Sequence, residues 1–198
     1  MLSHELDLWA QEQAKTYLSS LGNRWLHVQG AVTVAQWLSP TISNPVERSY
    51  LLAAVYLHDI GYSPSLATLG FHPIDGACFV LNAIGDRRLA ALVAHHSGAR
   101  FEARLRDFGK ALSPFPREQS AVAEYLNYVD MHSGVCGQIC TLIERRADIE
   151  RRYPPENVVI RSFRSAYPSL KQDVARVERR LIQCKLSYEN LACLPLPQ

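Results

Sequence analysis

The apolar residues of this chain recur at steps of three and four positions along almost its whole length, and this period restricts the fold more than any other feature. One series comprises Leu6, Trp9, Ala10, Ala14 and Tyr17, and the next comprises Trp25, Val28, Val32, Ala35 and Leu38. Such spacing places the apolar side chains on one face of an α-helix. No segment shows the strict alternation of apolar and polar residues that indicates a half-buried strand. The sequence therefore predicts an all-α fold.

Further helices are predicted after Pro40, which ends the second series. They span residues 46–59, 73–84, 86–96, 99–110, 117–132, 138–152 and 157–186. The last helix is expected to break near Pro168, because proline lacks a backbone N–H and crowds the preceding turn. The proline-rich segments SPTISNP and LSPFPRE are too short to be interdomain linkers. We therefore expect residues 1–198 to form a single domain.

Composition is typical of an intracellular globular protein. Apolar residues make up 47% of the sequence and charged residues 20%, which is ordinary for a globular domain. The longest uninterrupted apolar run, residues 51–57, is far shorter than the roughly 20 residues of a membrane-spanning helix. The N-terminus, with Glu5 and Asp7, lacks the arrangement of a signal peptide. The five cysteines are odd in number and lack zinc-finger spacing, so we expect reduced thiols, a cytoplasmic location and no membrane partner.

Several histidines and aspartates lie within or at the ends of these apolar helices, where an unpaired imidazole or carboxylate is costly. The set is His27, His58, Asp59, His72, His95, His96 and Asp130. Imidazole and carboxylate ligands without cysteine are typical of sites for divalent transition metals such as iron, manganese, zinc, nickel or cobalt. The set therefore predicts a metal site inside the helical fold.

For any single member, the alternative is a hydrogen-bonded histidine of the core, and we interpret His132 in this way. The ordered series H, HD, H, HH, D is much harder to explain by chance. Consecutive helical residues point about 100° apart, so His58 and Asp59 cannot face one direction. Asp59 can instead bridge two ions while His58 binds one of them. In the doublet, His96 is the favoured ligand. Alternatively, one histidine of the doublet can bind the metal and the other the substrate.

The segments RWLHVQGA and LAAVYLHDIGY, together with the ordered histidines and aspartates, resemble the HD-domain superfamily of metal-dependent phosphohydrolases. The resemblance covers about residues 20–135 and implies an all-α bundle with the metal centre between its helices. Residues from about 136 to 190 would then form a C-terminal helical extension.

The resemblance also implies roles for individual residues. The residues that match the minimal, often single-metal, site are His27, His58, Asp59 and Asp130, and of these His58 and Asp59 are the expected catalytic residues. The residues that match the additional ligands of the two-metal branch are His72 and one or both of His95 and His96. We therefore expect two divalent transition-metal ions.

The two-metal branch includes HD-GYP cyclic dinucleotide phosphodiesterases, diadenosine tetraphosphate hydrolases and mixed-valent di-iron oxygenases. No Gly-Tyr-Pro segment follows the histidine doublet here, which disfavours cyclic dinucleotide hydrolysis. The expected reaction is cleavage of a phosphoester or phosphoanhydride in a nucleotide or other small phosphorylated metabolite by a metal-bound hydroxide. The alternatives are mixed-valent di-iron oxygenation of a small organic or phosphonate substrate, and a non-catalytic metal-binding signalling module.

Arginines are the candidates for substrate binding, because many HD enzymes have a lysine where this chain has Tyr62. Arg24, one helical turn before His27, and Arg100, just after the doublet, can each bind a phosphate through a bidentate guanidinium group. The arginines between residues 145 and 180 are interspersed with acids, which indicates a solvated helical surface. No interleaved aromatic residues accompany them, which disfavours a nucleic-acid partner.

Overall fold

The computed structural model describes residues 3–193, with side chains from residue 5 onward. The expected domain also includes residues 1–2 and 194–198, which lie outside this described part. The α-helices are α1 (Ser3–Leu18), α2 (Asn23–Leu38), α3 (Pro45–Leu57), α4 (His72–Ile84), α5 (Arg87–His95), α6 (Ala99–Leu105), α7 (Gly109–Leu112), α8 (Ala121–Met131), α9 (Leu142–Arg152), α10 (Val158–Gln183) and α11 (Tyr188–Ala192). Short 3₁₀ turns cover Ser39–Thr41, Ile60–Tyr62 and His96–Gly98.

The all-α prediction is confirmed. Between residues 3 and 193 the chain forms no strand, and its one β-type pairing is an isolated antiparallel bridge between Ser133 and Ile139. No helix of the described chain combines the length and the hydropathy that a membrane crossing requires.

Capping residues fix where several helices begin. The side chains of Asn44 and Asp86 accept hydrogen bonds from the first-turn backbone of α3 and α5. At the start of α9, Thr141 and Glu144 cap each other's backbone N–H groups. Such caps satisfy N–H groups that lack a partner inside the helix. The observed starts lie zero to four residues from the predicted positions, and α6 begins at the predicted residue 99.

The expected break in the last helix is wrong, because α10 continues through Pro168. Phe163 before the proline, and Leu170 and Val174 after it, are buried, and α10 packs against α6 and α8. Tertiary packing therefore holds both halves of α10 in line despite the local cost of proline.

The helix predicted over residues 99–110 is divided into α6 and α7. Asp107, between them, has a φ angle of 59°, and the Phe108 N–H bonds to the Ala103 carbonyl oxygen at 2.7 Å. A left-handed residue ends an α-helix in this way. The helix predicted from residue 138 also begins later, at Leu142, because the bridged turn of residues 133–139 precedes it.

The central helix of the bundle is α3. It packs against α1, α2, α5 and α8, and α4 packs against α5. On the other side, α10 contacts α6, α8 and α9. The C-terminal helices therefore cover one face of the bundle, and this face includes the ends of α5 and α8 that carry predicted ligands.

Candidate metal centre

A turn after α3 places the HD dipeptide next to α4. The helix ends just before His58, so that His58 and Asp59 belong to the turn that follows. Gly61 in this turn packs against the first turn of α4, where a Cβ atom would overlap the His72 carbonyl oxygen. Only glycine permits so close an approach of two backbone segments. His72, the first residue of α4, therefore lies beside the Asp59 carboxylate.

The loop before α4 is held by Asp75, which is buried. Its carboxylate accepts hydrogen bonds from Thr68 Oγ1 at 2.7 Å, from the Leu69 N–H at 2.9 Å and from the Phe71 N–H at 3.1 Å. These three bonds fix the backbone immediately before His72 and so fix the position of its imidazole.

Six of the predicted residues converge into two groups of side chains that are able to hold a metal ion. The first ligand group consists of His27 from α2, His58 and Asp130 from α8. The second ligand group consists of Asp59, His72 from α4 and His96, which follows α5. Within each group, one donor atom from each residue lies within 4.8 Å of the other two. All six side chains are buried except that of His72, which is partly exposed.

Hydrogen bonds fix the tautomers of the first ligand group. His27 Nδ1 bonds to the Gly134 carbonyl oxygen at 3.2 Å, and His58 Nδ1 bonds to that of Val55 at 2.7 Å. In neutral imidazoles the two Nε2 atoms then carry lone pairs, and they face each other at 3.3 Å. Two ligands at about 2.1 Å from one ion lie roughly 3 Å apart. The spacing therefore fits a cation between the two nitrogens.

The second ligand group repeats this arrangement. His96 Nδ1 donates to the Val93 carbonyl oxygen at 2.6 Å, and its Nε2 lies 3.2 Å from His72 Nε2. Burial lowers the pKa of both His72 and His96. Both rings are therefore neutral at physiological pH, which is the form that binds a metal ion.

The Asp59 carboxylate lies between the two ligand groups. Its Oδ2 atom is 3.5 Å from His58 Nε2 and 3.7 Å from His27 Nε2. Its Oδ1 atom is 3.4 Å from His72 Nε2 and 3.8 Å from His96 Nε2. A carboxylate that directs one oxygen toward each group is placed to bridge two ions.

Both carboxylates of the site are held in the ionised form. Burial raises the pKa of Asp59, but Arg24 and the surrounding imidazoles outweigh burial and hold this pKa well below its usual range. For Asp130, His27, His58 and Arg145 outweigh burial in the same way. Ionised carboxylates are the ligand form that divalent metals require.

The structure does not bring His95 and Arg100 to the ligand groups. His95 Nε2 donates to the Phe115 carbonyl oxygen at 2.7 Å, because its side chain points away from that of the next residue. Arg100 contacts Ser169 Oγ at 3.4 Å. The guanidinium carbon of Arg100 also lies 4.3 Å from the centroid of the Phe101 ring. Both side chains line a different cavity.

Arg24, in contrast, lies at the metal centre. One of its Nη atoms donates to Asp59 Oδ2, and its guanidinium carbon is 3.9 Å from the centroid of the Tyr62 ring. Tyr62 also stacks on His72, with ring centroids 4.0 Å apart. Tyr62 thus contacts an arginine and a candidate ligand at the position where many HD enzymes have a lysine.

Arg145 of α9 is a site residue that sequence reasoning missed. It is buried, and its Nη2 atom lies 3.6 Å from Asp130 Oδ1. Its Nε and Nη1 atoms have no hydrogen-bond partner within the described chain, although Nη1 is 3.8 Å from Asp148 Oδ2. The signal was available, because Leu142 and Ile149 at three- and four-residue spacing place Arg145 on the apolar face of the helix.

Ser97 is a second residue that the sequence did not indicate. Its φ angle of 49° is in the left-handed region, its N–H donates to Asn127 Oδ1 at 2.7 Å, and its Oγ donates to Asp130 Oδ2. Ser97 therefore contacts α8 at two points, Asn127 and the ligand Asp130, and does so in an unfavourable backbone conformation.

A cavity of about 470 Å³ opens onto both ligand groups, and we call it the metal-site cavity. Its charged lining includes Arg24, Arg106, Arg145 and Arg152, and its aromatic lining includes Tyr62, Tyr153 and Phe163. Residues from α9 and α10 form part of the wall, so the C-terminal extension completes the cavity.

Comparison with known proteins agrees with this geometry. The family model described as HD domain matches residues 24–133, which is more than half of the chain and includes all six members of the two ligand groups. Neither curated proteins nor solved structures gave a match. With its helical fold and its ordered histidines and aspartates, the chain belongs to the HD-domain superfamily of metal-dependent phosphohydrolases.

Proposed function

We propose that this protein uses two divalent transition-metal ions to hydrolyse a phosphoester or phosphoanhydride bond in a nucleotide or other small phosphorylated metabolite. Family membership supports a metal-dependent hydrolase. The observation that carries the finer proposal is the position of Asp59, whose two carboxylate oxygens face different ligand groups.

The first ligand group would hold one ion and the second ligand group the other, with Asp59 shared between them. Neither group contains a thiol, and imidazole and carboxylate ligands suit iron, manganese, nickel, cobalt or zinc. When bound, two such ions activate water as a nucleophile and stabilise negative charge on phosphoryl oxygens.

Two arginines would orient the substrate phosphate on opposite sides of this centre. Arg24 is anchored to Asp59 of the second ligand group, and Arg145 lies next to Asp130 of the first. A buried guanidinium with unused N–H groups is costly, and phosphate oxygens would satisfy those donors. Arg145 therefore supports an anionic substrate more directly than any other residue outside the ligand groups.

The remainder of the metal-site cavity supports a substrate of nucleotide size. A volume of about 470 Å³ is in the usual range of small-molecule sites. Tyr153 and Phe163 offer aromatic and apolar surface for a base. Arg106 and Arg152 also line the cavity, where they form ion pairs with Glu102 and Asp148.

The experiment is a phosphate-release assay of the metal-loaded full chain with nucleoside mono-, di- and triphosphates, dinucleoside polyphosphates and generic phosphoesters. At least one compound should be cleaved with manganese, nickel, cobalt, zinc or iron. The matched control is Asp59→Asn, which keeps the shape of the side chain and removes its charge, and it should be inactive.

Two results would contradict the proposal. If the metal-loaded protein cleaves none of these compounds but consumes dioxygen with an organic phosphonate or polyol, the di-iron oxygenase replaces the hydrolase. If it binds metal and catalyses neither reaction, the site belongs to a non-catalytic module.

We further propose that residues 1–198 act as one domain in the cytoplasm. The packing of α10 on α6 and α8 supports one domain, and the five free cysteines support a reducing compartment.

A further inference from the structure

A second cavity of about 370 Å³ lies between α5, α8 and α10. Its lining includes the buried Leu92 and Leu126 and the polar residues His95, Arg100 and Arg117. Of the residues that line it, only His96 also lines the metal-site cavity. The second cavity is therefore a separate space that shares one wall with the metal centre.

The acids of the second cavity are already paired. Glu118 accepts two hydrogen bonds from Arg88, each of 2.8 Å. Glu124 accepts from Arg176 at 2.5 Å and forms an ion pair with Arg180 at 2.6 Å. Both acids therefore have arginine partners, and Arg88 is shared with Glu47.

The third acid, Asp173, also has partners, one of which is the same Arg176. One of its oxygens accepts from Arg176 at 2.5 Å, and the other accepts from the Asn127 amide at 2.7 Å. Each acid that lines the second cavity therefore has an arginine within ion-pair distance, and the charge of Asp173 also acts to raise the pKa of Arg100.

Arg100 and Arg117 are the cations without such a partner. Arg100 is half-buried, and its one hydrogen bond within the described chain, to Ser169 Oγ, is 3.4 Å long. Neither arginine has a carboxylate within ion-pair distance among the described residues. Burial, and then the positive charge of Arg117, lower the pKa of Arg100. The exposed Arg117 and the half-buried Arg100 therefore repel each other where they line the cavity, and a bound anion would reduce this repulsion.

His95 contributes an acceptor to the same cavity. Its Nε2 atom donates to the Phe115 carbonyl oxygen at 2.7 Å, which leaves the lone pair on Nδ1. That Nδ1 atom is buried and has no hydrogen-bond partner in the described chain. A hydroxyl group of a ligand in the second cavity would supply the missing donor.

We propose that the second cavity binds a small hydroxylated oxyanion, with its phosphate or carboxylate between Arg100 and Arg117 and its hydroxyl group donating to His95 Nδ1. This site is distinct from the metal-site cavity and does not depend on the proposed hydrolase activity.

The experiment measures the binding of propylphosphonate and 3-hydroxypropylphosphonate to the metal-loaded full chain by calorimetry. These probes resist hydrolysis and differ by one hydroxyl group. Arg100→Gln should weaken the binding of both at this site about ten-fold or more, because hydrogen bonds to a charged group are lost. The matched control is Arg104→Gln, which removes the same charge one turn along α6 from an exposed side chain and should change Kd by less than about two-fold.

Two further variants localise the binding. Arg117→Gln should weaken the binding of both probes as Arg100→Gln does. The test therefore remains valid if one of the two variants folds poorly. Arg145→Met, in the metal-site cavity, should leave the binding that depends on Arg100 unchanged. The hydroxylated probe should bind about five-fold more tightly than the other, and His95→Phe should remove that difference.

The proposal is overturned if Arg100→Gln and Arg104→Gln weaken binding equally, since the loss of affinity would then be caused by the change in net charge alone. It is also overturned if Arg145→Met abolishes the same binding event, which would place the anion in the metal-site cavity. Equal affinity for the two phosphonates would contradict the hydrogen bond to His95.

Discussion

Asn127 accepts a hydrogen bond from the backbone N–H of Ser97 at 2.7 Å, and this bond holds the corner between α5 and α6. Ser97 adopts a φ angle of 49°, which costs free energy in any residue other than glycine. The Ser97 hydroxyl in turn donates to Asp130. One amide on α8 therefore supports the position of a ligand in the first group.

Asn127→Ala should lower the free energy of unfolding by about 1–3 kcal/mol, because the Ser97 N–H and one Asp173 oxygen lose their partner. Metal affinity should fall with it, since Asp130 loses the orientation that Ser97 provides. Urea unfolding and metal titration measure the two effects. Asn82→Ala, at an exposed position of α4, is the control and should change stability by less than about 0.5 kcal/mol. Unchanged metal affinity in Asn127→Ala would show that Ser97 does not position Asp130.

His72→Ala should reduce the metal content from two ions to one per chain, because the second ligand group loses a nitrogen while the first remains complete. His95→Ala is the matched control, since His95 belongs to the histidine doublet but to neither ligand group. Elemental analysis of both purified variants measures the difference. One ion per chain in His95→Ala, or two in His72→Ala, would contradict the assignment of the second ligand group.

Arg145→Met should raise KM for the phosphorylated substrate about ten-fold or more and leave the metal content unchanged. The reason is that the guanidinium offers unused donors to the substrate. The free energy of unfolding should also fall, because Asp130 and Asp148 lose a buried cation that lies 3.6 Å and 3.8 Å from their carboxylate oxygens. The neighbouring Arg146→Met, at an exposed position, should leave KM unchanged. A loss of stability without a change in KM would make Arg145 a structural residue.

Removal of the metal by a chelator should lower the unfolding temperature of the protein. The lone pairs of His27 and His58 face each other at 3.3 Å, and an ion that binds only the folded state adds about 4 kcal/mol when present at 1,000 times its Kd. Differential scanning calorimetry with and without the chelator measures the effect. In His58→Ala the chelator should shift the unfolding temperature much less, and an equal shift in both proteins would contradict the site.

Acid should weaken the ion-pair cluster of Glu47, Arg88 and Glu118. Hydrogen bonds from Arg88 hold the pKa of both glutamates below the usual value. A lowered folded-state pKa adds stability above the unfolded-state pKa of about 4.3, and this stability is lost as the pH falls through the folded-state value. Arg88→Met should therefore flatten the fall in stability below pH 5 or so, as measured by urea unfolding at several pH values. A slope equal to that of the unmodified protein would show that the cluster does not contribute.

Local features of the sequence were sufficient for the helical fold and for the family. The three- and four-residue period determines which face of each helix is apolar, and capping residues such as Asn44 and Asp86 determine where helices start. The histidines and aspartates could be identified because polar groups on apolar faces need partners. His27, His58, Asp59, His72, His96 and Asp130 accordingly converge in the structure.

Tertiary structure decided which arginines and which member of the doublet meet at the metal centre. His96, which the sequence favours as the ligand of the doublet, lies in the second ligand group, whereas His95 lies outside both groups because neighbouring side chains point apart. Arg100 lies near the doublet in sequence and reaches the second cavity, whereas Arg145 is distant in sequence and reaches Asp130 because α9 packs across the bundle. Pro168 likewise fails to break α10, because burial on both sides of the proline outweighs its local cost. Helical period is a local property that the sequence determines by itself, whereas the distance between side chains on different helices depends on how those helices pack.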